Sequence, residues 1–121
     1  MKTKRQNLGR WGEEQAAIFF LEEGYEIIAR NVRTPYGEID LIVRQGDVLV
    51  FVEVKTRSND TYGMPEVSIT AKKQEHMLLA AKSYLLDHSE LDTAWRIDVV
   101  AIRRRGNEPA PEIIHYENAL S

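Results

Sequence analysis

Four ionisable residues interrupt a stretch that is otherwise apolar. From Gly37 to Lys55 the chain reads Gly37-Glu38-Ile39-Asp40-Leu41-Ile42-Val43, then Arg44-Gln45-Gly46-Asp47, then Val48-Leu49-Val50-Phe51-Val52-Glu53-Val54-Lys55. Two apolar runs about a polar turn containing glycine spell a β-hairpin. Charged side chains are rarely placed in such strands unless they are paired or hold a metal. Asp40, then twelve intervening residues, then Glu53-Val54-Lys55 is a spacing that suits phosphodiester hydrolysis. Carboxylate oxygens prefer hard cations such as Mg2+, which takes few protein ligands beside its waters. Such a cation polarises a phosphate and lowers the pKa of water. A lysine two residues from a ligand shares its strand face, where it can orient water or offset developing charge. The plainer reading of the same charges is a structural salt-bridge cluster.

Register decides whether these groups meet. With an even-numbered turn, Val43 is expected opposite Val48, Asp40 opposite Phe51 and Glu38 opposite Glu53. Glu38, Asp40, Glu53 and Lys55 then project to one side, with Asp40 and Glu53 diagonal neighbours about 7–8 Å apart at Cα. An odd-numbered turn or a bulge sends Asp40 and Glu53 to opposite faces.

Other elements must position the hairpin. Residues 1–6 are polar and expected to fray. A helix is predicted from about Asn7 or Leu8 to Glu23, closed by Gly24, with Leu8, Trp11, Ala16, Phe19 and Phe20 as its apolar stripe. Gly9 and Gly12 cost helix stability and so suggest close approach by another element. Glu13 lies on or beside the inward face and is read as supporting the site, whereas Glu14 fits a solvated acid favoured by the helix dipole. A strand follows over Tyr25–Val32, with Arg33–Gly37 as a turn. The third strand, apolar on both faces until its end, suits a central position.

Thr56–Val67 reads as a loop bordering a groove, with Ser58-Asn59-Asp60 and Gly63-Met64-Pro65 as breakers. Arg57 at its start could meet a phosphate or a nearby acid. Thr70 can cap a second helix from about Ala71 to Asp87, with Ala71, Gln74, Leu78, Ala81 and Leu85 as its stripe. Gln74 is then a site or rim residue. Lys72 and Lys73 oppose the dipole at the helix start, which phosphate binding or plain solvation accounts for. Past a loop near Ser89–Thr93, Ala94–Ile102 is a further strand, in which Asp98 is read as a buried partner for a cationic side chain. Arg103–Pro111 reads as a polar turn and Glu112–Tyr116 as the last strand. His115 fits a packed or surface histidine. Helix, three meandering strands, helix and two strands predict an α/β (α+β) layered fold, a mixed five-stranded sheet flanked by helices. The crossover helix makes the third and fourth strands parallel if they are neighbours.

The whole chain sets outer bounds. Its 121 residues suit one domain, and 43% hydrophobic with 29% charged residues is an ordinary soluble composition. Without cysteine, thiolate chemistry drops out, and with three histidines a zinc site is not expected. No apolar run reaches membrane-span length and no signal-peptide pattern opens the chain, so a cytoplasmic location is the default. A net charge of -3 argues against a nucleic-acid partner. Against that, Lys2, Lys4, Arg5 and Arg10, the Lys72-Lys73 pair and Arg103-Arg104-Arg105 could form local basic surface, or simply solvated faces.

Gly12-Glu13, Arg30-Asn31, Gly37–Ile42, Phe51-Val52-Glu53-Val54-Lys55 and Arg96-Ile97-Asp98-Val99-Val100 resemble the YraN-like family of small bacterial proteins. The resemblance runs through His115 and Asn118-Ala119. It implies a PD-(D/E)xK, restriction-endonuclease-like three-layer fold, similar to archaeal Holliday junction resolvases. The first-helix acid of that pattern falls on Glu13, the metal acids on Asp40 and Glu53, and the lysine on Lys55. Ile39-Asp40 stands where the pattern has proline-aspartate. The implied protein is a DNA nuclease using Mg2+ (Mn2+ substituting), acting on branched or otherwise structured DNA. Asp40, Glu53 and the Val54 carbonyl would hold the metal, Lys55 would position water, and Arg10, Arg57, Lys72, Lys73 and Gln74 would line the nucleic-acid path. Symmetric cutting of a four-way junction would require a homodimer. The alternative is a module of the same fold that binds nucleic acid or a repair protein without cutting.

Overall fold

Thr3 and Gln6 open the first helix earlier than its apolar stripe suggests. In the computed structural model, which describes residues 3–57, 69–88, 93–104, 106 and 110–120, helix α1 spans Lys4–Glu22. The Thr3 hydroxyl accepts from the Gln6 N–H at 3.1 Å and the Gln6 side chain accepts from the Thr3 N–H at 2.9 Å. This reciprocal capping box replaces the expected frayed start from Lys4 onward. At the other end Gly24, at φ +89°, turns the chain out of the helix as expected. The breakers Ser58-Asn59-Asp60 and Gly63-Met64-Pro65, most of the loop near Ser89–Thr93, Lys2, Arg105 and the Arg5 side chain lie outside the described residues.

Strands β1 (Glu26–Thr34), β2 (Gly37–Gln45) and β3 (Val48–Arg57) form an antiparallel meander. Helix α2 (Ala71–Asp87) then carries the chain to β4 (Ala94–Arg103), parallel to β3, and β5 (Glu112–Tyr116) pairs antiparallel with β4. The order β1-β2-β3-β4-β5 makes one mixed five-stranded sheet with β3 at its centre. Alternation along β3 explains the layers. Val50 and Val52 join Leu41, Val43, Val100 and Ile102 against Ala16 and Phe20 of α1. Leu49 and Phe51 join Ile42 and Ile97 against Ala80, Ala81 and Tyr84 of α2. A helix therefore covers each face of the sheet, as the strand's two apolar faces require.

Two expectations change. On α2 the buried residues are Ala80, Ala81 and Tyr84, whereas Ala71 and Gln74 are exposed, because the helix packs through its C-terminal half and its first turn stands clear of the sheet. Arg103 does not begin a solvated turn. It ends β4 opposite Glu112, buried, with Nη2 donating to both carboxylate oxygens at 2.8 Å.

Asp98, fully buried, has the cationic partner its position implies. Arg96 Nε donates to Oδ1 at 3.0 Å, the Asn118 N–H donates to Oδ1 at 2.9 Å, and His115 Nε2 lies 2.7 Å from Oδ2. Burial pushes this carboxyl up, but hydrogen bonds from His115, Arg96 and the Asn118 N–H outweigh it and hold the pKa below its ordinary value. His115 is packed, meeting the rings of Phe19, Phe20 and Tyr25 edge-on. No described helix is long and apolar enough to cross a membrane.

Candidate functional site

The hairpin closes through a tighter turn than the polar stretch Arg44–Asp47 suggests. Gln45 pairs with Val48, so only Gly46 and Asp47 lie in the loop, with Gly46 at φ +58° where glycine is unstrained. Val43 consequently faces Val50 instead of Val48. The shift is by two residues, so side-chain faces keep their parity. Extending the register would place Asp40 directly opposite Glu53 rather than diagonal to it.

The ladder stops just short of that point, at Leu41 and Val52. Beyond it the Val54 N–H donates to Asp40 Oδ2 at 2.8 Å, a side chain taking the place of a ladder bond. The alternation of β2 also breaks here. Leu41 packs on the α1 side and Ile39 on the α2 side, although a regular strand would give them one face. Asp40, between them, borders a cleft on the α1 side with Arg10, Glu13 and Asn31. Glu53 borders a groove on the α2 side with Glu38 and Lys73. Asp40 and Glu53 thus border two neighbouring compartments that meet where β2 and β3 separate.

Electrostatics ties the compartments together. Asp40 is raised from 3.8 to about 7, first by burial and next by the Glu53 charge; the Val54 N–H opposes this, while Glu13 and Glu38 add to it. Glu13 is raised by burial, then by Glu38, with Asn31 and Arg10 opposing. The α1 cleft encloses about 290 Å³, room for a hydrated ion or a phosphate group.

Two devices deliver Glu13. Gly12 is buried, and a Cβ there would lie 2.0 Å from Thr56 Oγ1, so α1 seats directly on the end of β3. This is the close approach its glycine implies; Gly9 has nothing within 4 Å of an added Cβ. The second device, Asn31, carries no role in the sequence reading. With its amide turned to satisfy both neighbours, its nitrogen donates to Glu13 Oε1 at 2.9 Å and Glu38 Oε1 at 3.0 Å. The available signal was an asparagine within a strand, a residue type that tolerates positive φ; its φ is +50°.

The basic residues divide. Lys73 Nζ lies 3.3 Å from Glu53 Oε1, a pairing with a site acid that spacing did not reveal. Lys55 is half-buried two residues beyond Glu53, and no ion pair among the described residues engages its ammonium. Arg10 borders the cleft and Lys72 is exposed. Arg57 donates to the Thr56 carbonyl at 3.0 Å, and the Gln74 amide donates to the Ile69 carbonyl at 3.1 Å. Glu14, expected to be solvated, is exposed and pairs with Arg30 at 2.8 Å.

The donors at this junction are of the kind that would hold a hard cation. Asp40 commits Oδ2 to the Val54 N–H, which leaves Oδ1 for an ion, and the crowding of carboxylates there is the charge imbalance a dication would relieve. Among the described residues no three His, Cys, Asp or Glu side chains form a metal cage. Mg2+ does not need one, since it binds through one or two carboxylates plus waters and phosphate.

Sheet, helices and junction together define a three-layer α/β domain with an acidic cleft where its central hairpin opens. The chain belongs to Uncharacterised protein family UPF0102, which it matches over residues 12–102. It is 43% identical to a UPF0102 protein of Syntrophotalea carbinolica over 99% of this chain and 96% of that one. It is 47% identical to one of Rhodococcus opacus over 93% and 95%. Among solved structures, Pyrococcus furiosus SfsA in complex with Ca2+ is similar at TM-score 0.40 and 19% identity. That alignment covers 93% of this chain and 63% of the other, under two thirds of its length, and carries no functional argument.

Proposed function

We propose that the chain is a Mg2+-dependent endonuclease acting on DNA, with branched or otherwise structured DNA as its substrate. The observation that carries this reading is Asp40, raised to about 7 by burial and the Glu53 charge at the point where β2 and β3 part. Fixed acids held together against repulsion suggest a cation-binding function. Asp40 and Glu53, with the Val54 carbonyl, would hold Mg2+, which would supply Lewis acidity and a lowered water pKa. Lys55 offsets negative charge developing on a phosphate or orients the attacking water. Glu13 supports the acids from α1, and Arg10 at the cleft border and the exposed Lys72 suit phosphate contacts.

A second reading, a module that binds nucleic acid without cutting it, draws support from Lys73, which engages the Glu53 carboxylate. Supercoiled plasmid and a synthetic four-way junction, incubated with protein and Mg2+, distinguish the two. Nicking by the wild type and its loss by roughly 100-fold or more in Lys55→Ala is the expected result. Salt-sensitive DNA binding with no turnover in Mg2+ or Mn2+ would select the binding module. Equal nicking by both proteins would mark a contaminant and remove the proposal.

A further inference from the structure

We propose that Asn31 is a positioning residue of the acidic cleft, clamping the Glu13 and Glu38 carboxylates side by side from a left-handed backbone, a role that rests on the metal-dependent reading above. An amide nitrogen carries two hydrogens. Here one goes to an acid on α1 at 2.9 Å and the other to an acid on β2 at 3.0 Å, from a residue of β1. Three elements are thereby joined at their charged ends. Left alone, the two carboxylates would part, because like charges at close range repel.

The backbone is shaped for the clamp. A non-glycine residue at φ +50° is uncommon, and asparagine is among the few that accept it. Often its side chain then bonds its own backbone; at this position it reaches two carboxylates instead. Gly12 against Thr56 brings α1 to the sheet. Asn31 then sets where the Glu13 carboxylate stands relative to Asp40, across the same cleft. Without the amide, Glu13 could swing toward Arg10 or solvent. Partners that orient acids around a metal commonly change its affinity 10–100-fold when removed.

The test uses the full chain and Mn2+ as probe, with binding read from water-proton relaxation and folding from thermal melts. Asn31→Gly keeps a backbone relaxed at positive φ and deletes the amide. Its melting temperature should stay near the wild type while Mn2+ binding weakens about 10-fold. In a background lacking both clamped acids, Glu13→Ala with Glu38→Ala, the same change should cost nothing further, since Asn31 acts through those two carboxylates. Additive losses, or loss of the fold in Asn31→Gly, would place Asn31 in the structural frame and overturn the inference. Equal Mn2+ affinity in Asn31→Gly and wild type would overturn it while leaving the metal site standing. A wild type that binds no Mn2+ would take down the metal reading and the clamp with it.

Discussion

Asp40 is a strand carboxyl group held well above the ordinary carboxylate range by burial and by the Glu53 charge. Its pKa lies at about 7 in the fold against 3.8 as a free side chain, so the folded state prefers it protonated. The sign follows from linkage: the native state binds more protons between these values. The contribution of Asp40 to stability should fall as pH rises from about 4 to about 7 and level off above. Asp40→Asn removes that slope and keeps an oxygen for the Val54 N–H. We expect it to melt at or above the wild-type temperature at pH 8 while cleavage drops roughly 100-fold or more. Thermal melts across pH, beside a nicking assay, check both halves; a variant that simply unfolds would count against the assignment. The Asp40–Glu53 proximity was legible in sequence because charge inside apolar strands is anomalous. Asn31 and the Lys73–Glu53 pair were not, because hydrogen bonds between distant segments leave no local pattern.

At the scale of elements, α1 is held by a contact with no tolerance for a methyl group. Gly12→Ala would set a Cβ 2.0 Å from Thr56 Oγ1, forcing the helix off β3 and carrying Glu13 with it. A cost of about 1–3 kcal/mol is expected from overpacking, together with weaker metal binding. Gly9→Ala meets nothing within 4 Å, and should stabilise the helix by about 0.5–1 kcal/mol. Denaturant melts of the two variants should move in opposite directions; movement in the same direction would refute this account of the seat. The Asp98 cluster anchors β4 to β5 and to the following turn. Because that carboxyl is held low, its stabilising effect is full above its unfolded value of 3.8 and fades as pH falls through the lower folded value. Asp98→Asn should cost about 3 kcal/mol or more at pH 7 and flatten the acid limb of the stability profile, measurable by denaturant melts at several pH values. Elements with local signals were read closely. Thr70 caps α2 at the expected residue, and the run of β3 that is apolar on both faces put it at the sheet centre. The start of α1 was missed because its Thr3–Gln6 box sits in a polar stretch with no apolar period. The hairpin was read two residues out because Arg44 and Gln45 look like turn residues while the backbone still pairs them.

Across the described residues, the layers frame a junction between strands rather than a closed pocket. The central strand β3 is buried on both faces up to Val52, and charge enters where its pairing to β2 ceases. The fold class was readable because the order of elements admits few layered arrangements. The charge balance was less instructive: a total of -3 hides an acidic centre bordered by Arg10 on one side and Lys73 on the other. The central claim is that this centre holds one hard cation. Anomalous diffraction from crystals of the wild type and Asp40→Asn soaked in Mn2+ tests it most directly. The account predicts a peak between Asp40 and Glu53 in the wild type that disappears in the variant. No peak at that junction, or one that survives the loss of the Asp40 charge, would contradict it.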